Sequence, residues 1–239
     1  MRIGDYRIGL SASYKTVLSV FGVNPLYGFF SKILRLHGSE HYSKFGFNRF
    51  NYYEFGTGEG NSLKTYIRAL KDYCNDTGDS LNKYNIFAFD SFEGLPEYKS
   101  EADYNPVWNK GDFYGSETMI DNLVRRSRFT GKFHKIKGYY EDSLTEKLQR
   151  ELSKNPPSIV NIDVDFFTSA KLVLRFLEPL LQDGTIIYFD DIYEYLGNQN
   201  KGEIRAIREF ESKNKTLMPY YQHGIPSLFG KTFIFNRNK

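Results

Sequence analysis

From residue 50 onward, short apolar runs alternate with longer segments in which apolar residues recur at helical spacing. The short runs predict strands, and the longer periodic segments predict helices. The predicted strands are 50–55, 85–89, 133–137, 158–162, 185–189, 217–221 and 232–236. The predicted helices between them are 62–73, 116–129, 144–152, 169–181 and 203–212.

This alternation predicts an α/β fold in which an open and mostly parallel sheet carries helices on both faces. The last two predicted strands are joined by a loop that is too short for a helical crossover. Since parallel neighbours need such a crossover, we expect these two strands to form an antiparallel hairpin.

The N-terminal region has a different pattern. Residues 11–36 carry apolar side chains at roughly helical spacing, and Pro25 divides them into two short predicted helices. We therefore expect an N-terminal helical extension over residues 1–48 and one further domain over residues 49–239. The aromatic faces of the extension could pack on the core, form a lid or form a homodimer contact, and core packing is the ordinary explanation.

Composition and charge narrow the function classes. The chain has 32 basic and 29 acidic residues, a net charge of +3 and no basic run, so no nucleic-acid partner is expected. The single Cys74 excludes an internal disulfide and a cysteine-based zinc site. With no secretory signal and no apolar stretch of ~18 residues, the chain is expected to be cytoplasmic, without a membrane partner. His37 and His41 have a spacing that could bind metal on a helix, but Gly38 lies between them and solvated histidines are expected.

One connection is unusually long. Residues 92–115 join a predicted strand to the next helix and include Trp108, the only tryptophan, together with several tyrosines and phenylalanines. Loops of this length without secondary structure are uncommon and often functional. The segment is therefore predicted to be a lid over a site.

Carboxylates follow most of the predicted strands. The site of an open parallel sheet lies outside the carboxyl ends of its strands. An acidic turn after one strand is common, whereas so many together indicate function. The residues at these ends are Glu54, Asp90 with Ser91, Gly138–Asp142, Asp163 with Asp165, and Asp190 with Asp191.

The first of these ends continues into the pattern E-x-G-x-G-x-G, from Glu54 to Gly60. Glycines allow a backbone to approach a ligand and to adopt φ angles that other residues avoid. The third glycine stands one place too early for a dinucleotide-binding loop, and no Lys-Ser/Thr pair follows as in a phosphate loop. The pattern looks like motif I of the S-adenosylmethionine-dependent methyltransferases, with a purely structural turn as the alternative.

Further segments follow in order: FAFDSFEGLPE, Trp108, GYYEDSL, IDVDFFTSAKLVLRFLEPLLQDGTIIYFDDI and KGEIRAIREF. Together with the glycine loop they resemble the macrocin O-methyltransferase family of class I S-adenosylmethionine-dependent methyltransferases, from about residue 50 to 236. That family is known for methylating sugar hydroxyls on macrolides. The resemblance implies a Rossmann-like sheet of seven strands that ends in the hairpin.

The resemblance also implies a donor site. The glycine loop would line the methionine end of S-adenosylmethionine, Asp90 would bind ribose hydroxyls, and Tyr140 and Glu141 would flank the adenine. The alternatives are that Asp90 is a turn residue and that GYYEDSL only precedes a helix capped by Asp142 or Ser143. The predicted donor-binding residues are Glu54, Gly56, Thr57, Gly58, Gly60, Ser62, Asp90, Ser91, Tyr140, Glu141 and Asp163.

Asp163, Asp190 and Asp191 follow neighbouring predicted strands and should meet on one side of the sheet. Hard divalent cations take oxygen ligands from several chain segments, and adjacent carboxylates repel unless a cation joins them. The resemblance assigns Mg²⁺ to these three residues. The alternative is that they cap the helices that follow.

The general base stays open at this point. Asp165 would point to the same face as Asp163 if the segment remains extended. The lysine that metal-dependent catechol methyltransferases carry three residues after the first aspartate is absent, because Phe166 stands there. Phe166 or Phe167 also replaces a tyrosine that is usual in the macrocin family. The candidate bases are Asp165, Glu194 and His223, and Asp165 could instead be a fourth metal ligand.

These patterns predict an S-adenosylmethionine-dependent, Mg²⁺-dependent O-methyltransferase that acts on a hydroxyl of a sugar or another small polar metabolite. Two alternatives belong to other classes. One is an NAD(P)-dependent oxidoreductase, which the early third glycine disfavours. The other is a non-catalytic binding protein that kept the fold, which the clustered carboxylates disfavour.

Overall fold

One mixed sheet forms the centre of the protein in a computed structural model that describes residues 25–214, 217–219 and 230–237. The strands are β1 Asn51–Phe55, β2 Asn85–Asp90, β3 Lys132–Lys137, β4 Ile159–Ile162, β5 Ile186–Phe189, β6 Leu217–Pro219 and β7 Lys231–Phe235. The helices are α1 Pro25–His37, α2 Glu40–Lys44, α3 Asn61–Thr77, α4 Glu117–Ser127, α5 Tyr140–Ser143, α6 Glu146–Leu152, α7 Phe167–Leu177 and α8 Gly202–Asn214.

The strands lie in the order β3-β2-β1-β4-β5-β7-β6. The first five in this order are parallel, and β7 pairs antiparallel with both β5 and β6. The predicted α/β class, the mostly parallel sheet and the antiparallel C-terminal pair are therefore confirmed. This order places the carboxyl ends of β1, β4 and β5 side by side, so the chain segments that follow them meet at one edge.

Helices cover both faces of the sheet, as the alternation predicted. Tyr52 on β1 packs in one core cluster with residues of α1 and α3, whereas Tyr53 packs in another with residues of α7 and α8. Successive strand residues point to opposite faces, so both must be apolar in a strand that is covered on both sides. All five residues of β1 are accordingly buried.

The N-terminal helix α1 packs on the core. Phe29, Phe30, Ile33 and Leu34 are buried with the apolar face of α3. Of the three roles open to the extension, core packing is the one that residues 25–37 show. The helix predicted before Pro25 lies outside the described residues, and the domain division at residue 48 stays a prediction.

The expectation of solvated histidines is wrong for His37. Its ring is 2% exposed, lies 4.6 Å from the Phe47 ring, and places Nε2 3.3 Å from the Gly184 carbonyl oxygen. The last turn of α1 lies on the amino end of the sheet, which is a contact that helical spacing alone cannot indicate. His41 is exposed as expected.

Within the described residues, no helix combines the length and apolarity needed to cross a membrane.

Candidate functional site

The glycine loop between β1 and α3 lies directly against the end of β4. Gly56 has a φ of +83°, and a Cβ at this position would lie 1.7 Å from the backbone oxygen of Asp163. Gly60 precedes α3 with a φ of +82°, and a Cβ there would lie 2.7 Å from Leu123 Cδ1. A side chain would be strained at both positions, and at Gly56 it would also collide with backbone, whereas at Gly60 it would meet only the movable ends of Ile120 and Leu123. The loop therefore brings its backbone as close to β4 as sterics allow.

Glu54 lies beneath this loop and is fully buried. Its carboxylate accepts hydrogen bonds from the Ser62 hydroxyl and from Asn161 Nδ2, the latter at 3.4 Å. Burial raises the pKa of Glu54 to about 8, although the hydrogen bond from Ser62 acts in the opposite direction. The buried hydroxyl of Thr57 has no hydrogen-bond partner among the described residues, and the Tyr52 hydroxyl lies close enough to Glu54 to act against the rise in its pKa.

Asp90 at the end of β2 joins the glycine loop to the start of the lid. Its carboxylate accepts hydrogen bonds from the backbone N–H groups of Gly58, at 2.8 Å, and Phe92, at 2.6 Å. Burial raises the pKa of Asp90, and these hydrogen bonds oppose the rise. Ser91 closes a turn by donating to the Gly94 carbonyl oxygen. The proposed ribose contact of Asp90 stays a prediction, and its turn role is shown.

Tyr140 and Glu141 begin the short helix α5 beside this site. The Tyr140 hydroxyl lies 3.4 Å from the Phe89 carbonyl oxygen, and burial, followed by the charges of Asp90 and Asp163, raises its pKa. Burial acts to raise the pKa of Glu141, but the hydrogen bond and charge of Lys99 in the lid, together with a backbone hydrogen bond, outweigh it and the pKa is lowered.

The alternative in which Asp142 or Ser143 caps the next helix is wrong. Those residues belong to α5, and the next helix, α6, is capped by Thr145, whose side chain accepts from the Leu148 N–H. The chain makes one short helical turn before it enters α6, so the cap moves toward the C-terminus.

The three aspartates predicted to bind metal converge. One carboxylate oxygen from each of Asp163, Asp190 and Asp191 lies within 4.8 Å of the others. The residues that follow Asp190 and Asp191 form turns, and α7 after Asp163 has no side-chain cap from its N-cap residue Phe166. The helix-cap alternative is therefore not what these carboxylates do. Three oxygen donors in this arrangement suit a hard divalent cation.

Asp165 also lies beside these three aspartates, but its backbone does not have the extended conformation that was expected. It has a φ of +59°, so the segment does not remain extended after Asp163. Its backbone N–H donates to Asp191 Oδ2 at 3.2 Å, and the residue is 8% exposed. Burial, followed by the charges of Glu194 and Asp190, raises the pKa of Asp165 to about 8. Glu194 thus lies near Asp165, and His223 lies outside the described residues.

Sequence reasoning missed Glu203. This fully buried residue of α8 accepts the backbone N–H of Asp191 at 3.1 Å and that of Val164 at 3.4 Å. Burial raises its pKa well above the usual range. Glu203 lies in the KGEIRAIREF segment. Acidic residues are common in the first turn of a helix, so nothing in the sequence set this one apart.

The lid, residues 92–115, is tethered to α7 and to Tyr195 by a second overlooked residue, Asp103. Its buried carboxylate accepts the backbone N–H of Thr168 at 2.9 Å, which caps α7 from outside. The backbone carbonyl oxygen of Asp103 accepts a hydrogen bond from the Tyr195 hydroxyl at 2.8 Å. Trp108 lies 6.0 Å from Phe166 and 5.5 Å from Tyr195, measured between ring centroids.

The other end of the lid rests on the glycine loop. A Cβ at Gly115 would lie 1.8 Å from the Gly58 carbonyl oxygen, so the two backbones are in direct contact. The lid therefore connects the glycine loop with the neighbourhood of Asp165, which agrees with its predicted position over a site.

Comparison with known proteins agrees with this arrangement. The sequence model of a family described as a methyltransferase domain matches residues 53–192, more than half of the chain. No curated protein matches the sequence at the threshold applied.

Solved structures share the fold. The calicheamicin methyltransferase CalS11 has a TM-score of 0.63 at 19% identity, over 93% of this chain and 85% of that one. The O-methyltransferase NovP has a TM-score of 0.62 at 16% identity, over 89% and 80%. An O-methyltransferase from Bacillus cereus, in complex with SAH, has a TM-score of 0.50 at 14% identity, over 97% and 94%.

The family match spans β1 to the turn after β5, and so contains the glycine loop, the lid and the aspartate cluster. On this evidence the chain belongs to the methyltransferase-domain family.

Proposed function

We propose that the protein is an S-adenosylmethionine-dependent O-methyltransferase that uses a divalent cation, with Mg²⁺ as the physiological ion. The observation that carries the proposal is the contact between the glycine loop and the acidic cluster, where Gly56 lies against the Asp163 backbone. A donor-binding loop and a cation site that share one boundary would place a methyl group and an acceptor hydroxyl side by side. Alignment of this kind supplies much of the rate in group transfer.

The donor side is formed by the loop, Glu54 and Asp90. S-adenosylmethionine would supply an electrophilic methyl group carried by a positively charged sulfur. The buried Thr57 hydroxyl, which has no hydrogen-bond partner among the described residues, is a polar group of the kind that a bound ligand satisfies. We place the methionine end of the donor at Glu54–Gly60, the ribose at Asp90 and the adenine beside Tyr140 and Glu141.

The acceptor side is formed by Asp163, Asp190 and Asp191. A divalent cation held by these carboxylates would supply positive charge that lowers the pKa of an acceptor hydroxyl. The three residues would also orient the acceptor oxygen toward the donor loop, because Asp163 belongs to both regions.

Among the candidate bases we favour Asp165. Its carboxylate would take the proton from the acceptor hydroxyl, a step that is efficient when the pKa of the base lies near the working pH. Asp165 is held in the cluster by its own backbone N–H bond to Asp191, whereas Glu194 lies on the following turn and is half-buried. His223 stays a prediction.

We assign the acceptor to the class of sugar hydroxyls and other small polar metabolites. CalS11 is also described as a TDP-rhamnose 3'-O-methyltransferase, and its structure shares this fold with a TM-score of 0.56 at 16% identity. The aromatic lid with Trp108 would cover one face of such an acceptor. The macrocin subfamily, a cytoplasmic location and a homodimer are further parts of the proposal that rest on the sequence.

Calorimetric titration with S-adenosylhomocysteine tests the proposal. The wild-type protein should bind it with micromolar affinity, and it should not bind NADH, the ligand class of the oxidoreductase alternative. The Gly56→Ala variant should lose binding. Gly78→Ala is the matched control, because Gly78 also has a positive φ, of +71°, but lies in open space at the end of α3.

Circular dichroism would confirm that both variants are folded. If the wild-type protein gave neither heat nor a thermal shift at millimolar S-adenosylhomocysteine, the proposed function would be wrong.

A further inference from the structure

Tyr188 is a buried tyrosine whose hydroxyl reaches the acidic cluster. It lies on β5, two residues before Asp190, and its hydroxyl donates a hydrogen bond to Asp190 Oδ1. The side chain is 2% exposed. We propose that Tyr188 is a positioning residue that fixes the orientation of the Asp190 carboxylate for cation binding, an inference that rests on the proposed cation site.

The ring of Tyr188 is held on two sides. The Phe29 ring of α1 lies 5.4 Å away between centroids. On the other side, a Cβ at Gly230 would lie 2.2 Å from the Tyr188 hydroxyl oxygen, so this glycine leaves the space that the hydroxyl occupies. A tyrosine packed in this way holds its hydroxyl in one place, because its ring cannot change rotamer without displacing neighbours.

Asp190 is one of two half-buried aspartates in the cluster, the other being Asp163. Its backbone is fixed, since its N–H donates to the Ile162 carbonyl oxygen at 2.9 Å, but its side chain is only half-buried. The carboxylates of Asp163 and Asp191 lie close by, and their repulsion favours rotation of the Asp190 carboxylate toward solvent. The bond from Tyr188 opposes that rotation because it holds one carboxylate oxygen to a fixed point.

Hydrogen bonds of this kind, made to a metal ligand rather than to the metal, orient the ligand before binding. Their removal typically costs about 10- to 100-fold in metal affinity. We expect this from Tyr188→Phe, which removes the hydroxyl oxygen and leaves the ring in place.

The chain offers a matched control. Tyr66 is also fully buried, and its hydroxyl has no hydrogen-bond partner among the described residues. Tyr66→Phe removes the same atom from a packed ring without affecting the cluster. Deleting a buried hydroxyl that has no partner should leave the fold unharmed.

Mn²⁺ binding followed by electron paramagnetic resonance is the test, because the spectrum distinguishes free from bound ion and requires no acceptor. Tyr188→Phe should bind Mn²⁺ about 10- to 100-fold more weakly than wild type, and Tyr66→Phe within about twofold of it. Gly230→Ala is a second variant, which crowds the Tyr188 hydroxyl and should weaken binding in the same direction. Thermal unfolding in EDTA would establish that each variant is folded.

Equal Mn²⁺ affinity in wild type and Tyr188→Phe would overturn this inference and leave the proposed cation site standing. The absence of Mn²⁺ binding by the wild-type protein would overturn the cation site itself, and the inference with it. Equal weakening in Tyr188→Phe and Tyr66→Phe would also count against Tyr188, since the effect would then come from packing.

Discussion

The two ends of the sheet differ in how well their buried polar groups are paired. At the amino end, the buried polar groups have partners, because Arg49 pairs with Asp79 at 2.6 Å and neutral side chains bond to one another and to backbone groups. Gln182 donates to the carbonyl oxygens of Asn48, at 2.6 Å, and Pro157, at 3.1 Å, and it accepts the Asn48 N–H at 2.9 Å. Asn51 accepts from Asn85 at 2.7 Å. Each of these groups replaces a bond to water with a bond inside the protein.

At the carboxyl end, the acidic side chains of Asp163, Asp165, Asp190, Asp191 and Glu203 lie close together. Burial comes first among the causes that raise the pKa values of Asp165, Asp191 and Glu203, and neighbouring carboxylates add to the rise. Such a cluster costs stability at neutral pH, because each charge is held where the folded protein disfavours it. The amino end therefore stabilises the fold, whereas the carboxyl end costs stability, as expected of the proposed cation site.

The largest effect is expected from a substitution that removes one charge from the acidic cluster. Asp190→Asn keeps an acceptor for the Tyr188 hydroxyl and removes one negative charge. We expect Mn²⁺ affinity to fall at least about 100-fold, or roughly 2.7 kcal/mol. The thermal midpoint in EDTA should be unchanged or higher, because repulsion with Asp163 and Asp191 is relieved.

Asp183→Asn makes the same chemical change at the amino end, where Asp183 accepts the backbone N–H of Arg237 at 2.6 Å. It should leave Mn²⁺ affinity unaltered. If Asp190→Asn instead destabilised the protein and kept its affinity, the contrast between the two ends would be lost.

The next effect concerns the amino end. Gln182→Ala removes three hydrogen bonds, each of which contributes about 1 kcal/mol, so the free energy of unfolding should fall by roughly 2–3 kcal/mol. Urea unfolding measures this change. Gln149→Ala, which removes one bond to the Phe176 carbonyl oxygen, should cost about a third as much. Mn²⁺ and S-adenosylhomocysteine should bind the folded Gln182→Ala variant as they bind wild type.

The smallest effect is a pH dependence. Burial lowers the pKa of His37 to about 3, although its bond to the Gly184 carbonyl opposes this, whereas an unfolded histidine titrates near 6.5. Between those values the unfolded state holds more protons, so stability falls as pH falls below about 6.5. Between about pH 7 and pH 5.5 the loss is roughly 1 kcal/mol.

Carboxylates with raised pKa values act in the opposite direction, because acid neutralises them. The measurement is therefore the difference between wild type and His37→Phe, in which the contribution of the carboxyl end cancels. The stability of wild type relative to His37→Phe should fall as the pH is lowered from about 7 to 5.5. A difference that stays constant over this range would mean that His37 takes up its proton in the folded state, which would contradict its burial.

The sequence was a good guide to residues that act through their own strand. Asp163, Asp190 and Asp191 each follow a buried strand, and parallel strands bring their ends together, so their convergence could be predicted. Glu203 and Asp103 could not be found in this way. Glu203 enters the cluster from a helix, and Asp103 caps α7 from the lid, 65 residues away in sequence.

The sequence by itself determined the alternation of strands and helices, the glycine loop and the acidic strand ends, because each depends on local spacing and on the period of the chain. Only the tertiary structure decided that His37 is buried, that Asp165 turns toward Asp191 and that Asp90 bonds to the loop backbone. Those outcomes depend on which distant segments pack together, and no single stretch of residues determines the free energy of such contacts.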